Sequence, residues 1–172
     1  MKSTKTQRKI ISAPKKYIPD KLTRKERLVQ EKELAMSRKQ YKKGKYYTRK
    51  KASSYTPKKS NHIRNAEQTY NVTIIPNNSL SKKTGCSLKA LNAIVKKGQG
   101  AYYSSGSRPN QTAHSWGYAR LASAITGGKA AAVDFNIIKN GCKKNGTAYR
   151  LARVAQKKHK RGTRKVPRYK RH

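Results

Sequence analysis

His114, Ser115 and Asp134 supply the residue types of a hydrolytic set: a base, a nucleophile and an orienting acid. Their spacing argues against that use. His114 and Ser115 are neighbours on a predicted helix, so their side chains diverge by about 100°. The chain holds only six acidic residues, too few for paired carboxylates or a carboxylate-rich metal site. Asp134 is expected instead to pair with Arg120 or Arg108 inside the core. His62, His159 and His172 lie in basic stretches without ligand spacing. The residues therefore point to no enzyme, no catalytic residue, no metal or other cofactor and no small-molecule substrate.

A second candidate chemistry is anion binding. Gly98-Gln99-Gly100, followed by Ser104-Ser105-Gly106-Ser107-Arg108, suggests a glycine-rich turn whose amides cradle phosphate. It lacks the GxxxxGK[ST] spacing, and no clear strand precedes it. The alternative is a tight loop stitched by Ser and Asn side chains. Cys86 and Cys142 are not in a CxxC and cannot build a zinc site alone. They read as two buried thiols, with a single disulfide as the alternative.

Tyr46, Tyr47 and Tyr55 sit among Lys and Arg over residues 44–60. Such interleaving puts cations on phosphates and rings on bases, or else packs the rings on protein while the lysines stay solvated. The second reading is preferred, because Tyr is also favoured at protein interfaces. The run Lys157 to Lys165 fits a polyanion-binding arm and equally a nuclear-localisation-like cluster. The candidate partner contacts are Arg38, Lys42, Lys43, Arg49, Lys50, Lys51, Lys157, Lys158, Lys160, Arg161, Arg164 and Lys165, with the three tyrosines as interface aromatics. Arg108, Trp116, Tyr118, Leu121 and Asp134 are assigned to the core or to docking.

The elements that must position these residues are limited by composition. The chain is 172 residues long and 34% hydrophobic, too little apolar material to bury it all compactly. It carries 44 Lys and Arg against 6 Asp and Glu, a formal net charge of +38. Self-repulsion opposes a compact state unless a polyanion neutralises it, so the partner is expected to be anionic. The net charge is +17 over residues 1–59, +8 over 60–142 and +13 over 143–172. The flanks are expected to be disordered alone. Residues 98–128, by contrast, hold only two charges, Arg108 and Arg120, and the single Trp. No apolar run approaches the ~20 residues that span a membrane. No hydrophobic segment follows the charged N-terminus, so no signal peptide is expected.

The fold class expected is mainly α: a small helical core over about 61–156, a basic arm over 1–60 with one surface helix, and a basic tail over 157–172. Residues 1–19 look extended around Pro14 and Pro19. Thr23-Arg24-Lys25-Glu26 predicts a capping box, with a helix to about Lys43 and a stop at Gly44. A short helix is predicted over 61–70 with Asn61 as its cap. Val72 to Ile75 is β-prone. Ser87 caps an amphipathic helix carrying Leu88, Leu91, Ile94 and Val95, ending at Gly98. Asn110 is the predicted cap of a helix over 111–126, with Tyr118, Leu121, Ala122 and Ile125 on one stripe and Trp116 on another. Helices over 130–138 and from Thr147 to about Lys157 complete the core.

The island Lys97-Gly98-Gln99-Gly100-Ala101-Tyr102-Tyr103-Ser104-Ser105-Gly106-Ser107-Arg108-Pro109-Asn110-Gln111-Thr112, with Thr126-Gly127-Gly128-Lys129-Ala130, resembles a domain of unknown function. That domain occurs in nucleocytoplasmic large DNA viruses, including chlorella-virus and mimivirus relatives, and in some phages. Tyr17-Ile18-Pro19, Leu22-Thr23, Arg27, Gln30, Ser37-Arg38-Lys39 and Tyr41-Lys42 extend the likeness, which covers about residues 15–142. The resemblance implies a viral protein and transfers no catalytic residue.

Charge and resemblance together give the expected function: a virion structural protein, a minor capsid protein of a large icosahedral double-stranded DNA virus. Its partners would be the major capsid protein and other virion proteins, with viral DNA or an anionic internal membrane as further anionic surfaces. The alternative is a DNA-binding or DNA-condensing protein packaged with the genome. A ribosome-associated protein would share the small core and basic tails, and the resemblance counts against it.

Overall fold

The computed structural model describes residues 11–160 and 166–171. Among them are eight α-helices and no β-strand, around a small helical core. Helix α1 (Arg24–Tyr41) starts at the predicted capping box. Thr23 Oγ1 accepts the Glu26 amide, and the Glu26 carboxylate accepts the Thr23 amide, each at 3.2 Å. The chain leaves this helix through Gly44, at φ +72°.

The core helices follow as α2 (Asn61–Tyr70), α3 (Asn78–Thr84), α4 (Leu88–Ser104), α5 (Ala113–Ile125), α6 (Lys129–Val133), α7 (Phe135–Gly141) and α8 (Thr147–His159). Ser87 caps α4 as its sequence predicts, accepting the Ala90 amide at 3.2 Å. Ser60, not Asn61, caps α2. The β-prone Val72–Ile75 pairs with nothing; it forms bends that bury Ile74. Helix α3 was not expected, because Leu80 is its single strong apolar residue; Asn77 caps it, accepting the Leu80 amide at 2.8 Å. The predicted 130–138 helix is broken at Asp134 into α6 and α7.

Helix α4 does not stop at Gly98. It runs on to Ser104, because Gly98 is where α5 crosses it. A Cβ on Gly98 would lie 2.6 Å from the Gly117 Cα, and a Cβ on Gly117 would lie 2.9 Å from the Val95 carbonyl oxygen. The two glycines thus permit backbone approach that side chains would block.

Two apolar clusters result. The larger joins all seven helices α2 to α8 through residues such as Leu80, Leu91, Ile94, Leu121, Ile138 and Ala152, all fully buried. The smaller joins Ala13, Tyr17, Ile18 and Leu22 to Leu34 of α1 and to Ala52, with Trp116 packed against it. Helix α5 serves both, as its two stripes predict: Leu121 and Ile125 face one cluster, Trp116 the other.

The two cysteines are not free thiols. Cys86 and Cys142 form a disulfide across 56 residues, joining the start of α4 to the end of α7. Each segment is aligned by backbone bonds, Ser87 N–H to the Gly141 oxygen and Lys143 N–H to the Gly85 oxygen, both 2.8 Å.

The described residues of the basic arms are largely non-helical outside α1 and the end of α8, and they are tied to the rest of the chain. Residues Lys15–Tyr17 make a 3-10 turn. The C-terminal segment returns to it: Lys15 N–H donates to the Pro167 oxygen at 2.8 Å, and Tyr169 N–H to the Ala13 oxygen at 2.9 Å. The Tyr169 hydroxyl and the Arg171 guanidinium both donate to Glu31 of α1. Residues 13–18 and 167–171, in flanks expected to be disordered alone, are held by contacts that their composition does not advertise.

Candidate polyanion interface

Residues 45–50 form an extended strap after α1, and its side chains alternate. Tyr47 and Arg49 turn inward; Tyr46 and Lys50 turn outward. Glu33 pins the strap, accepting the Tyr47 hydroxyl at 3.1 Å and the Lys50 amide at 2.8 Å. Arg49 fastens it more deeply. Its guanidinium donates to Ser37 Oγ at 3.0 Å, to the Tyr102 carbonyl at 2.7 Å and to Ser107 Oγ at 2.6 Å. It also lies 3.8 Å from the Tyr102 ring centre. One side chain therefore ties together α1, the strap, α4 and the loop after α4. Burial, the largest effect, lowers the Arg49 pKa, opposed by nearby tyrosines and Glu33.

Asn110 fastens the far end of the loop. It is not the cap of α5; it takes a left-handed conformation, φ +59°. Its side-chain oxygen accepts the Ala52 amide at 2.8 Å, and its amide nitrogen donates to the Ala52 and Tyr55 oxygens. Thr112 caps α5 instead, in a reciprocal box with Ser115.

Between these fixtures lies a groove of about 780 Å³. The end of α1 and the strap form one side, the second half of α4 another, and residues 108–114 the third. Lys50, Lys51, Lys96, Arg108 and His114 line it, and no Asp or Glu does. Three tyrosines meet along one wall. Tyr46 is 76% exposed, and its ring centre lies 4.9 Å from that of Tyr103. Tyr41 lies nearly parallel to Tyr103 at 6.1 Å. Gly100 leaves room for this wall: a Cβ there would lie 3.2 Å from the Tyr41 hydroxyl.

Residues 14–142 match a family of unknown function (DUF5824). The chain belongs to that family. No curated protein and no solved structure matches it. The matched span takes in the strap, the groove and both cysteines, and leaves α8 outside.

The predicted site residues of this DUF5824 member fall into three groups. Lys42, Lys43, Tyr46, Lys50, Lys51, Lys157, Lys158 and Lys160 are exposed. Arg49 was expected on the surface and is buried, because it is the bolt of the strap. Arg38 is also partly engaged, donating to the Ser12 and Ser105 oxygens. Tyr47 bonds Glu33, and Tyr55 packs on the smaller cluster. Arg161, Arg164 and Lys165 lie outside the described residues.

Of the core set, Leu121 and Asp134 are buried, Tyr118 and Trp116 are half-buried, and Arg108 is exposed rather than internal. Arg120 grips Asp134 with two bonds, 2.7 and 2.8 Å, and Lys97 adds a third contact at 2.8 Å. The other acid-pairing candidate, Arg108, thereby remains on the groove rim.

The structure does not bring His114, Ser115 and Asp134 together as a set. Ser115 Oγ is engaged in the cap of α5, His114 Nδ1 bonds Gln99 Nε2 at 3.1 Å, and Asp134 binds Arg120 and Lys97. Nor is there a phosphate-cradling glycine turn at Gly98 and Gly100, which are both inside α4. Among the described residues no three His, Cys, Asp or Glu converge as a metal site, and no helix is long and apolar enough to cross a membrane.

Tyr41, Tyr103 and Lys96 were not foreseen as site residues. Placing the end of α4 at Gly98 hid Tyr103, and with it the wall that Tyr41 and Lys96 share. With the helix continued, Lys96, Gly100 and Tyr103 recur at i, i+4 and i+7, on one face.

Proposed function

We propose that this chain is a virion structural protein, a minor capsid protein in the shell of a large icosahedral double-stranded DNA virus. It works by charge complementarity, and its partners are acidic faces of the major capsid protein and of other virion proteins. One observation carries this reading. All six acidic side chains are already engaged within the chain: Asp20 with Lys15, Glu26 with Thr23 and Ser54, Glu31 with Arg171, Glu33 with Tyr47, Glu67 with Lys59, and Asp134 with Arg120. Six carboxylates cannot match 44 cations, so a cationic surface is left on a folded body. An acidic protein lattice supplies the missing charge.

Two further observations support it. Burial first, and then the like charges of Arg108 and Lys129, hold the Lys16 pKa below its ordinary value. Such crowding is relieved by a polyanionic partner. The disulfide suits a particle exposed to an oxidising exterior. The likeness of residues 15–142 to a domain of large DNA viruses favours the virion over other polyanion-rich settings. Gentle disruption of purified particles tests the reading: the chain is expected in the shell fraction, and recovery only with the nucleoprotein would contradict it.

A second reading is a DNA-binding protein packaged with the genome. The observation that favours it is the acid-free groove, with an exposed tyrosine beside lysines. Phosphate neutralisation would then give sequence-independent affinity that falls steeply with salt.

A further inference from the structure

We infer that the groove between the strap and α4 is a binding track for single-stranded nucleic acid. The inference rests on the cationic-surface reading that both proposed functions share, and not on where the protein resides. A purely electrostatic surface needs no aromatic wall. This groove has one. Tyr46 is three-quarters exposed on a strap that Arg49 and Glu33 hold in place. Its ring centre lies 4.9 Å from that of Tyr103 and 6.4 Å from that of Tyr41, while the side chain stays open to solvent. Fixing an aromatic ring in water gains nothing by itself; it supplies a stacking platform at little further entropic cost.

The cations stand where a strand's backbone would pass. Lys50 of the strap and Lys51 just after it line the groove with Tyr46, Lys96 lies on α4 and Arg108 in the loop after it. No carboxylate lines the groove to repel phosphate. Stacking plus a positive track is the means by which proteins hold single strands without reading sequence. A duplex hides its base faces inside the stack, so it uses the cations and not the ring. An acidic peptide likewise uses the cations, having no base to stack.

The test uses the full chain and fluorescence anisotropy at about 0.2 M salt. The probes are oligothymidylate of about 12 nucleotides, a duplex of the same length, and polyglutamate. Tyr46→Ala is expected to weaken oligothymidylate binding about 5- to 100-fold, and so to lower the single-strand to duplex affinity ratio. Tyr46→Phe, which keeps the ring, is expected to restore it. Oligouridylate run beside these tells DNA from RNA, and binding of either supports the inference. Equal loss of single-strand, duplex and polyglutamate affinity in Tyr46→Ala, or no loss at all, would overturn it. Failure of wild type to bind any of these probes would instead overturn the cationic-surface reading beneath it.

Discussion

Asp134 shows at residue scale what six acids do in a chain of this charge. It is 1% exposed and lies between Arg120 and Lys97. Removing one partner of a buried pair leaves the other charge uncompensated, at a cost of about 3–5 kcal/mol. Arg120→Ala, which leaves the buried Asp134 with Lys97 alone, is therefore expected to lower unfolding free energy by about that amount in urea denaturation, and Asp134→Ala by somewhat less, since the Arg120 and Lys97 it leaves behind are partly solvated. Glu26 has a different task. It joins the start of α1 to Ser53 and Ser54, and these bonds, Ser54 first, hold its pKa down to about 2. The folded chain then binds fewer protons than the unfolded one between the two pKa values. The contribution of Glu26 is present above pH about 4.5 and is lost as pH falls toward 2. Acid titration of Glu26→Gln should show a flatter loss of stability across that window than wild type; an unchanged slope would mean that the clamp contributes nothing.

At the scale of elements, the crossing of α4 and α5 is the most exacting contact. Gly98 sits against Gly117 backbone, which cannot swing aside. Gly98→Ala should destabilise by about 1–3 kcal/mol or more, read as a lowered Tm. A neutral result would show that the helices can part. The disulfide closes a long loop, and the chain-entropy relation gives about 4 kcal/mol for its 56-residue span. Cys86→Ser should thus lower stability under oxidising conditions, by an amount that added reductant reproduces in wild type.

The elements also show what the sequence made legible. Caps at Thr23 and Ser87 and the two stripes of α5 carry strong local signals, and all are found in the fold. Gly98 was misleading because a glycine ending a helix and a glycine admitting a neighbouring helix look alike in one dimension. Asn110 misled in the same way: its cap-like residue type serves a turn and a long-range tie to Ala52. Arg49 was indistinguishable by composition from the lysines beside it. Only the alternation of an extended strap, Tyr46 out, Tyr47 in, Arg49 in, Lys50 out, separates surface from anchor. The disulfide was an open alternative, since two cysteines without a motif do not announce their pairing.

For the whole molecule, the described residues of the arms join the core through the smaller cluster and the return of residues 166–171 to Ala13 and Glu31. Charge is then presented by a shaped surface. Repulsion among these cations opposes the folded state, so a polyanion that binds it should raise Tm by several degrees, and salt should remove the dependence on polyanion. A Tm indifferent to polyanions at low salt would contradict a polyanion-binding surface. Zero-length carbodiimide cross-linking of intact particles shows whether these cations meet acidic faces of the shell. This reagent joins lysine to carboxylate only where the two touch. Links are expected from Lys42, Lys43, Lys157 or Lys158, which lie outside the groove, to Asp and Glu of major capsid subunits, at the same few positions in every preparation. Links confined to genome-associated proteins, with none to the shell, would contradict it.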